Sequence, residues 1–365
     1  MIYLPQSANV EVKYLSRLFD NKSESYKLFW FQAIVKKVIQ GKTRLTYDEL
    51  INSMIADTWY MVSEYKLNLG PVDNLEAIVD YISGISGLKP SEKKDRVTLF
   101  LENCEDKEFR SRKRRLTEQV PYRLQAPFLD DIKGNDWKIS RKLLAQRINQ
   151  KKRLMYYFVQ ISGLDSEIEI QDEWVSYIRH NQDIIIGWIQ YHLIQYLQRR
   201  NPSVPGIVNK LAPPQERKLE KIKRYWKLVS RVKPLKDIYS KKVLDNSDIS
   251  IDHFIPWSYV AHDEFWNLSP TTRSINSSKS NHLPDWTIYF PRLCEIEYQS
   301  YQLIWQNEKV HKEFEVCQRE HINTIEAQRL YQEGLEMPEF CKRLEDIVSP
   351  VYQSARNLGF RNWIL

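Results

Sequence analysis

Between Ile249 and Pro284 the chain reads ISIDHFIPWSYVAHDEFWNLSPTTRSINSSKSNHLP. Asp252 stands next to His253, and Asn267, Asn276 and Lys279 follow. Carboxylate, imidazole and carboxamide groups gathered at turns are the ligand and base types that metal-assisted phosphodiester hydrolysis uses. Taken singly, each residue has an ordinary reading. An Asp–His pair arises by chance, and a lone Asn more often serves a turn or cap. The order and spacing of all five together carry the chemistry.

The elements that must position them follow from the same stretch. Ile249, Ile251 and Phe254 predict a short strand that Pro256 ends, because proline donates no ladder hydrogen bond. Phe265, Trp266, Leu268 and Pro270 predict a return strand after the loop PWSYVAHDE. Thr271 or Thr272 can cap a following helix containing Arg273, Asn276 and Lys279, with the last two on one face. Asp252 and His253 would leave a regular strand on opposite sides, so one shared site requires a bend at the strand end. His262 and His282 are nearby ligand types, but His262 sits in the loop and His282 is off the face of Asn276. His311 and His321 lie farther along the chain.

These residues resemble the HNH nucleases, the ββα-metal or His-Me finger class. DH followed by a proline, then NL, then N and K within one helical turn, match in order and spacing. The stretch is especially similar to the HNH domain of CRISPR RNA-guided nucleases, where DHIVP and TRSDKNRGKS occupy the places of DHFIP and TRSINSSKS. The resemblance is confined to residues 249–284. It implies Asp252 and Asn276 as metal ligands and His253 as the general base on water. It further implies Asn267 as the structural asparagine of the loop, and Lys279 and Arg273 as helpers near phosphate. Oxygen ligands imply Mg²⁺, with Mn²⁺ as a substitute. An unperturbed imidazole is largely neutral at cytoplasmic pH and available as a base. Many family members carry histidine at the third position and cysteine pairs for structural zinc. Both are missing here, so no structural zinc is expected.

Composition sets the frame. With 365 residues the chain exceeds the roughly 250–300 at which single cores stop growing, which predicts two domains. Lys and Arg number 54 against 47 Asp and Glu, a net charge of +7 that permits a polyanionic partner. Cys104, Cys294, Cys317 and Cys341 form no CxxC pair, which fits a reducing cytoplasm and argues against a disulfide framework. The first residues lack a basic-then-apolar leader and no run approaches the roughly 20 apolar residues of a membrane span, so a soluble, unprocessed chain is expected. Few glycines and apolar spacings of three and four predict a helix-rich protein.

Helices are predicted across residues 10–40, and after Thr46, where Glu49 completes a capping box. Lys107, Arg110, Arg112, Lys113, Arg114 and Arg115 form a dense basic run that is a candidate nucleic-acid contact. Residues 184–201, IIIGWIQYHLIQYLQRRN, are apolar on nearly every face and predict a buried central helix, with His192 a core histidine. Prolines between Pro202 and Pro214 mark the domain boundary. From Arg217 to Lys242 eleven basic residues, including Lys218, Lys221, Arg224, Lys227 and Arg231, face only Glu220 and Asp237, which predicts an arm that tracks a phosphate backbone. No Gly-rich phosphate loop or other nucleotide-cofactor motif occurs.

The expected fold is mainly α with a small ββα-metal unit. A helical domain, regulatory or DNA-binding, spans 1–213, a basic helical connector 214–246, and an HNH nuclease domain with flanking helices 247–365. The expected function is metal-dependent cleavage of DNA in bacterial defence against foreign DNA, with another protein of that system as a candidate partner. The alternatives are a non-catalytic nucleic-acid-binding adaptor that retains the finger, and an RNase.

Overall fold

A computed structural model describes residues 3–20, 23–213 and 219–365. Arg217 and Lys218 of the basic segment therefore lie outside the described residues. The chain divides into two compact units, one of residues 1–202 with 210–213 and one of 203–209 with 214–365. Both are mainly helical. Among the described residues no helix is long and apolar enough to cross a membrane.

In the first unit, helix α1 (Tyr26–Ile39) and helix α2 (Tyr47–Ser63) supply most of the core, where Trp30, Phe31, Ile34, Met54 and Trp59 are sealed from solvent. Strand β1 (Arg44–Thr46) runs between them, and Thr46 caps α2 while Glu49 reaches back to the Thr46 backbone. That reciprocal pair satisfies two otherwise orphaned N–H groups. Helix α3 (Lys107–Leu116), strand β2 (Tyr156–Gln160) and strand β3 (Glu167–Ile170) follow, and β3 lies between β1 and β2 in an antiparallel sheet.

Two expectations for this unit change. The basic run on α3 does not present a single positive face. Lys113 turns inward to Asp48 and Asn52 at 2.5 and 2.8 Å, and Arg112 pairs with Glu108 and lies over the Tyr81 ring. The chain's own acids answer part of the charge, while Arg114 and Arg115 remain exposed. Helix α4 (Gln182–Arg200) is not buried all round. Ile185, Trp188, Ile189, Leu193 and Tyr196 face the core, but Ile184 and Tyr191 are 45% and 39% exposed. Those two share a stripe with Gln195 and Gln198, so polar spacing outweighed apolar identity on that side. His192 is half-buried and packs edge-on against Phe19 and Trp188 of the core.

The second unit is built round a hairpin. Helix α5 (Glu220–Val232) turns Ile222, Tyr225, Trp226 and Val229 inward, and the Trp226 indole donates to the Leu268 carbonyl at 2.8 Å. Strand β4 (Ile249–His253) pairs antiparallel with strand β5 (Leu268–Thr272), Ile249 opposite Thr272 and His253 opposite Leu268. Thr272 caps the short helix α6 (Arg273–Lys279). After strand β6 (Leu283–Pro284) come helices α7 (Trp286–Gln306), α8 (Glu308–His321) and α9 (Met337–Asn357). Strand β7 (Asn362–Trp363) then pairs parallel with β6. The helix expected as a basic connector thus shares one apolar core with the hairpin, through Tyr225 and Trp226 against Phe265.

Glu297 of α7 is fully buried, with one oxygen 3.5 Å from the Tyr331 hydroxyl and the other unpaired. Burial pushes its carboxyl well above the ordinary value of 4.5, so the folded protein holds it neutral. A raised carboxyl contributes stability that is complete below the ordinary carboxylate range and is lost as pH rises toward the folded-state value. Thermal unfolding followed from pH 5 to 8 is expected to show falling stability, and Glu297→Gln to flatten that slope.

Candidate functional site

The hairpin and α6 bring Asp252, Asn276 and Lys279 to one strand–helix junction, with His253 at the end of the same strand. Because β4 pairs regularly through His253, Asp252 and His253 leave on opposite faces. The bend comes one residue later, at Phe254 and Ile255. Asp252 faces α6, where Lys279 reaches its Oδ1 at 3.0 Å and also donates to the His253 carbonyl at 2.7 Å. The Tyr239 hydroxyl donates to the other oxygen of Asp252 at 2.5 Å. All three side chains are buried. Burial pushes the Lys279 ammonium below its ordinary value, and the Asp252 charge pulls it back up. The Tyr239 phenol is raised well above its usual range, first by burial and then by Asp252. Lys279 is thus a partner of Asp252 in the folded chain and is itself closed to solvent.

Asn276 lies one turn before Lys279 on α6. Its Nδ2 donates to Ser250 Oγ and to the Ile251 carbonyl, both at 2.9 Å, and this orients the amide with Oδ1 as the remaining acceptor. Asn267 is completely buried and ties the loop after β4. Its Oδ1 accepts from the Ile255 N–H at 2.7 Å and its Nδ2 donates to the Ile255 carbonyl at 2.9 Å. Arg273 is exposed at the start of α6, 3.9 Å from Asp248.

The base candidate has a partner that the sequence reading did not single out. His253 Nε2 lies 2.7 Å from Asp263 Oδ1, within the loop joining the two strands. Only the local sequence HDE, an acid in the loop opposite the strand end, could have signalled it. Asp237 and Tyr239 were missed as well. Asp237 accepts from the backbone N–H of Tyr239 and Ser240, from Ser240 Oγ at 2.6 Å and from Thr271 Oγ1 at 3.0 Å. It knots the turn before β4 onto β5, and that turn delivers Tyr239 to Asp252.

His282 donates from Nδ1 to the Lys279 carbonyl, and His262 borders a cavity of about 680 Å³ with Trp266, Arg329 and Ile347. Neither joins the junction, and no group of three His, Cys, Asp or Glu side chains able to hold a metal occurs among the described residues. The oxygen donors Asp252 and Asn276 nevertheless suit Mg²⁺, which takes one or two protein ligands and keeps several waters. Each Asp252 oxygen accepts one hydrogen bond, and a carboxylate offers about four lone-pair sites.

The basic residues of α5 divide into two groups. Lys221 pairs with Glu320 and Arg224 with Glu313, whereas Lys223, Lys227 and Arg231 recur every four residues along a groove that Arg224, Glu220 and Glu313 also line.

Breaking a buried ion pair from one side strands the other charge, at a cost of about 3–5 kcal/mol. Lys279→Met is therefore expected to lower unfolding stability by about that much. Lys279→Met combined with Asp252→Leu is expected to recover much of the loss. Chemical denaturation of the two variants checks this.

No match was found for this chain among curated proteins or among solved structures. Residues 236–285, running from the turn of Asp237 through both strands and α6, match the family described as HNH endonuclease, which supports a nuclease acting on nucleic acid.

Proposed function

We propose that the protein is a metal-dependent endonuclease that cuts DNA, acting in defence against foreign DNA. The observation that carries the reading is that the HNH endonuclease match coincides with the junction holding Asp252, His253 and Asn276. In the proposed reaction His253 takes a proton from the attacking water at the strand end. Asp252 and Asn276 supply the oxygen donors for Mg²⁺, whose chemistry when bound is to polarise the phosphoryl group and stabilise the leaving oxygen. Lys279 pairs with Asp252 and fixes its position, and Asn267 holds the loop that follows the base. The defence context rests on the hazard a free nuclease poses to its own cell, which calls for restraint or for a partner protein.

Lys223, Lys227 and Arg231 are proposed to follow the phosphate backbone, with Arg114, Arg115 and Arg273 as further contacts. Lys221, Arg224 and Arg112 contribute less, because acids of the same chain already answer them. A second reading, a non-catalytic binding protein that keeps the finger, draws on the closed state of Asp252, whose side chain is 3% exposed.

Incubation of the whole protein with plasmid DNA and Mg²⁺ separates the readings. The nuclease reading expects nicking or cutting that EDTA stops and that His253→Ala and Asp252→Ala abolish. Intact plasmid with the unaltered protein overturns it, and cleavage of single-stranded RNA alone makes the protein an RNase. Fluorescence anisotropy across a salt series tests the groove. Lys227→Ala with Arg231→Ala is expected to reduce the log–log salt slope by about 2, against a smaller change for Lys221→Ala with Arg224→Ala.

A further inference from the structure

The contact between His253 and Asp263 fixes more than the position of a ring. An ionised carboxylate only accepts hydrogen bonds, so the imidazole nitrogen facing it is the one that carries the proton. That nitrogen is Nε2, at 2.7 Å, and the His253 side chain is 6% exposed against 23% for Asp263. Nδ1 makes no hydrogen bond among the described residues and is not among their buried, unpaired atoms. The lone pair needed to accept a proton therefore resides on Nδ1.

Asp263 is not a loose surface carboxylate that happens to lie close. Its backbone carbonyl accepts from His321 Nδ1 at 2.7 Å, at the end of α8. The next residue, Glu264, takes Asn323 Nδ2 at 2.8 Å and accepts at its carbonyl from the Asn267 N–H at 2.9 Å. Two residues earlier, the Ala261 carbonyl accepts from Asn209 Nδ2 at 3.1 Å. Asn267, which closes the same loop from its far end, is bonded through both side-chain atoms to Ile255. The loop that carries Asp263 is thus anchored on both sides of it, and its carboxylate is held against the ring by groups outside the hairpin.

We infer that Asp263 is the positioning residue of the site: it holds His253 with the proton on Nε2 and presents Nδ1 as the atom that receives the proton of water. When that proton arrives, the Nε2–H still points at the carboxylate, so the contact that orients the ring is kept. The inference rests on the reading of His253 as base, but the ring's tautomer can be measured without any substrate.

The test uses the full chain. In the unaltered protein labelled with ¹⁵N-histidine, without DNA or metal, the His253 ring is identified by its loss in His253→Gln. It is expected to show a protonated Nε2 and an unprotonated Nδ1. Asp263→Ala is expected to erase that preference and to lower kcat for Mg²⁺-dependent plasmid cleavage about 10- to 100-fold, the range for losing the hydrogen-bond partner that orients a metal-bound histidine, with KM little changed. Asp263→Glu, which keeps the charge, is expected to restore part of the rate. A proton on Nδ1 in the unaltered protein overturns the inference, whatever the variants do. So does an Asp263→Ala protein with kcat within about twofold of the original, since the expected loss is at least tenfold. Full cleavage by His253→Ala would instead sink the assignment of the base and leave the tautomer result standing.

Discussion

The second unit depends on one buried ion pair. Asp252 and Lys279 have almost no contact with solvent, and removing two charges from water is unfavourable unless each finds further partners. Here each does. Tyr239 takes the second oxygen of Asp252, and the His253 carbonyl takes a second proton of the Lys279 ammonium. Together these bonds pin three parts of the chain, the turn before β4, β4 itself and α6, at a single point. The geometry of His253 and Asn276 follows, because both sit within one residue or one helical turn of that pin.

The entry to the hairpin is held by oxygen chemistry. Asp237 gathers two backbone N–H groups and two hydroxyls, and so holds a tight turn against β5. A buried carboxylate in that role has its acceptor capacity met by four donors of the same chain. Arg292 adds a clasp from α7, donating to the carbonyls of Ile238 and Tyr239 at 3.0 Å. Aromatic packing of Tyr225, Trp226, Phe265 and Phe314 backs the hairpin from the other side.

Local signals were legible where one residue type admits one job. Thr46 with Glu49 marked the start of α2, and the Thr271–Thr272 pair marked the start of α6, where Thr272 is the cap. The alternation of Ile249 and Ile251 marked β4, and the spacing of Asn276 and Lys279 placed both on the strand-facing side of α6. What sequence concealed were pairings across long separations. Nothing about Lys113 announces that Asp48, sixty-five positions earlier, will draw it inward. Tyr239 reads as a core aromatic, and only the folded turn shows its hydroxyl on Asp252. Asp263 lies in a loop whose path is set by His321 and Asn323, residues that carry no recognisable pattern. The helix α4 misled for a different reason: apolar residues at Ile184 and Tyr191 tolerate solvent, and burial cannot be read from residue type alone.

The parallel pairing of β6 with β7 joins residues on either side of α7, α8 and α9, far apart in the chain. Trp363 of β7 packs edge-on against the Tyr239 ring, 5.2 Å between centroids, and Tyr239 is bonded to Asp252. The wall behind Asp252 is therefore completed by residue 363, beside Tyr289 on the same ring. During translation the hairpin and α6 emerge after α5 and the Asp237 turn but before α7 and β7, so part of their support follows them in the chain.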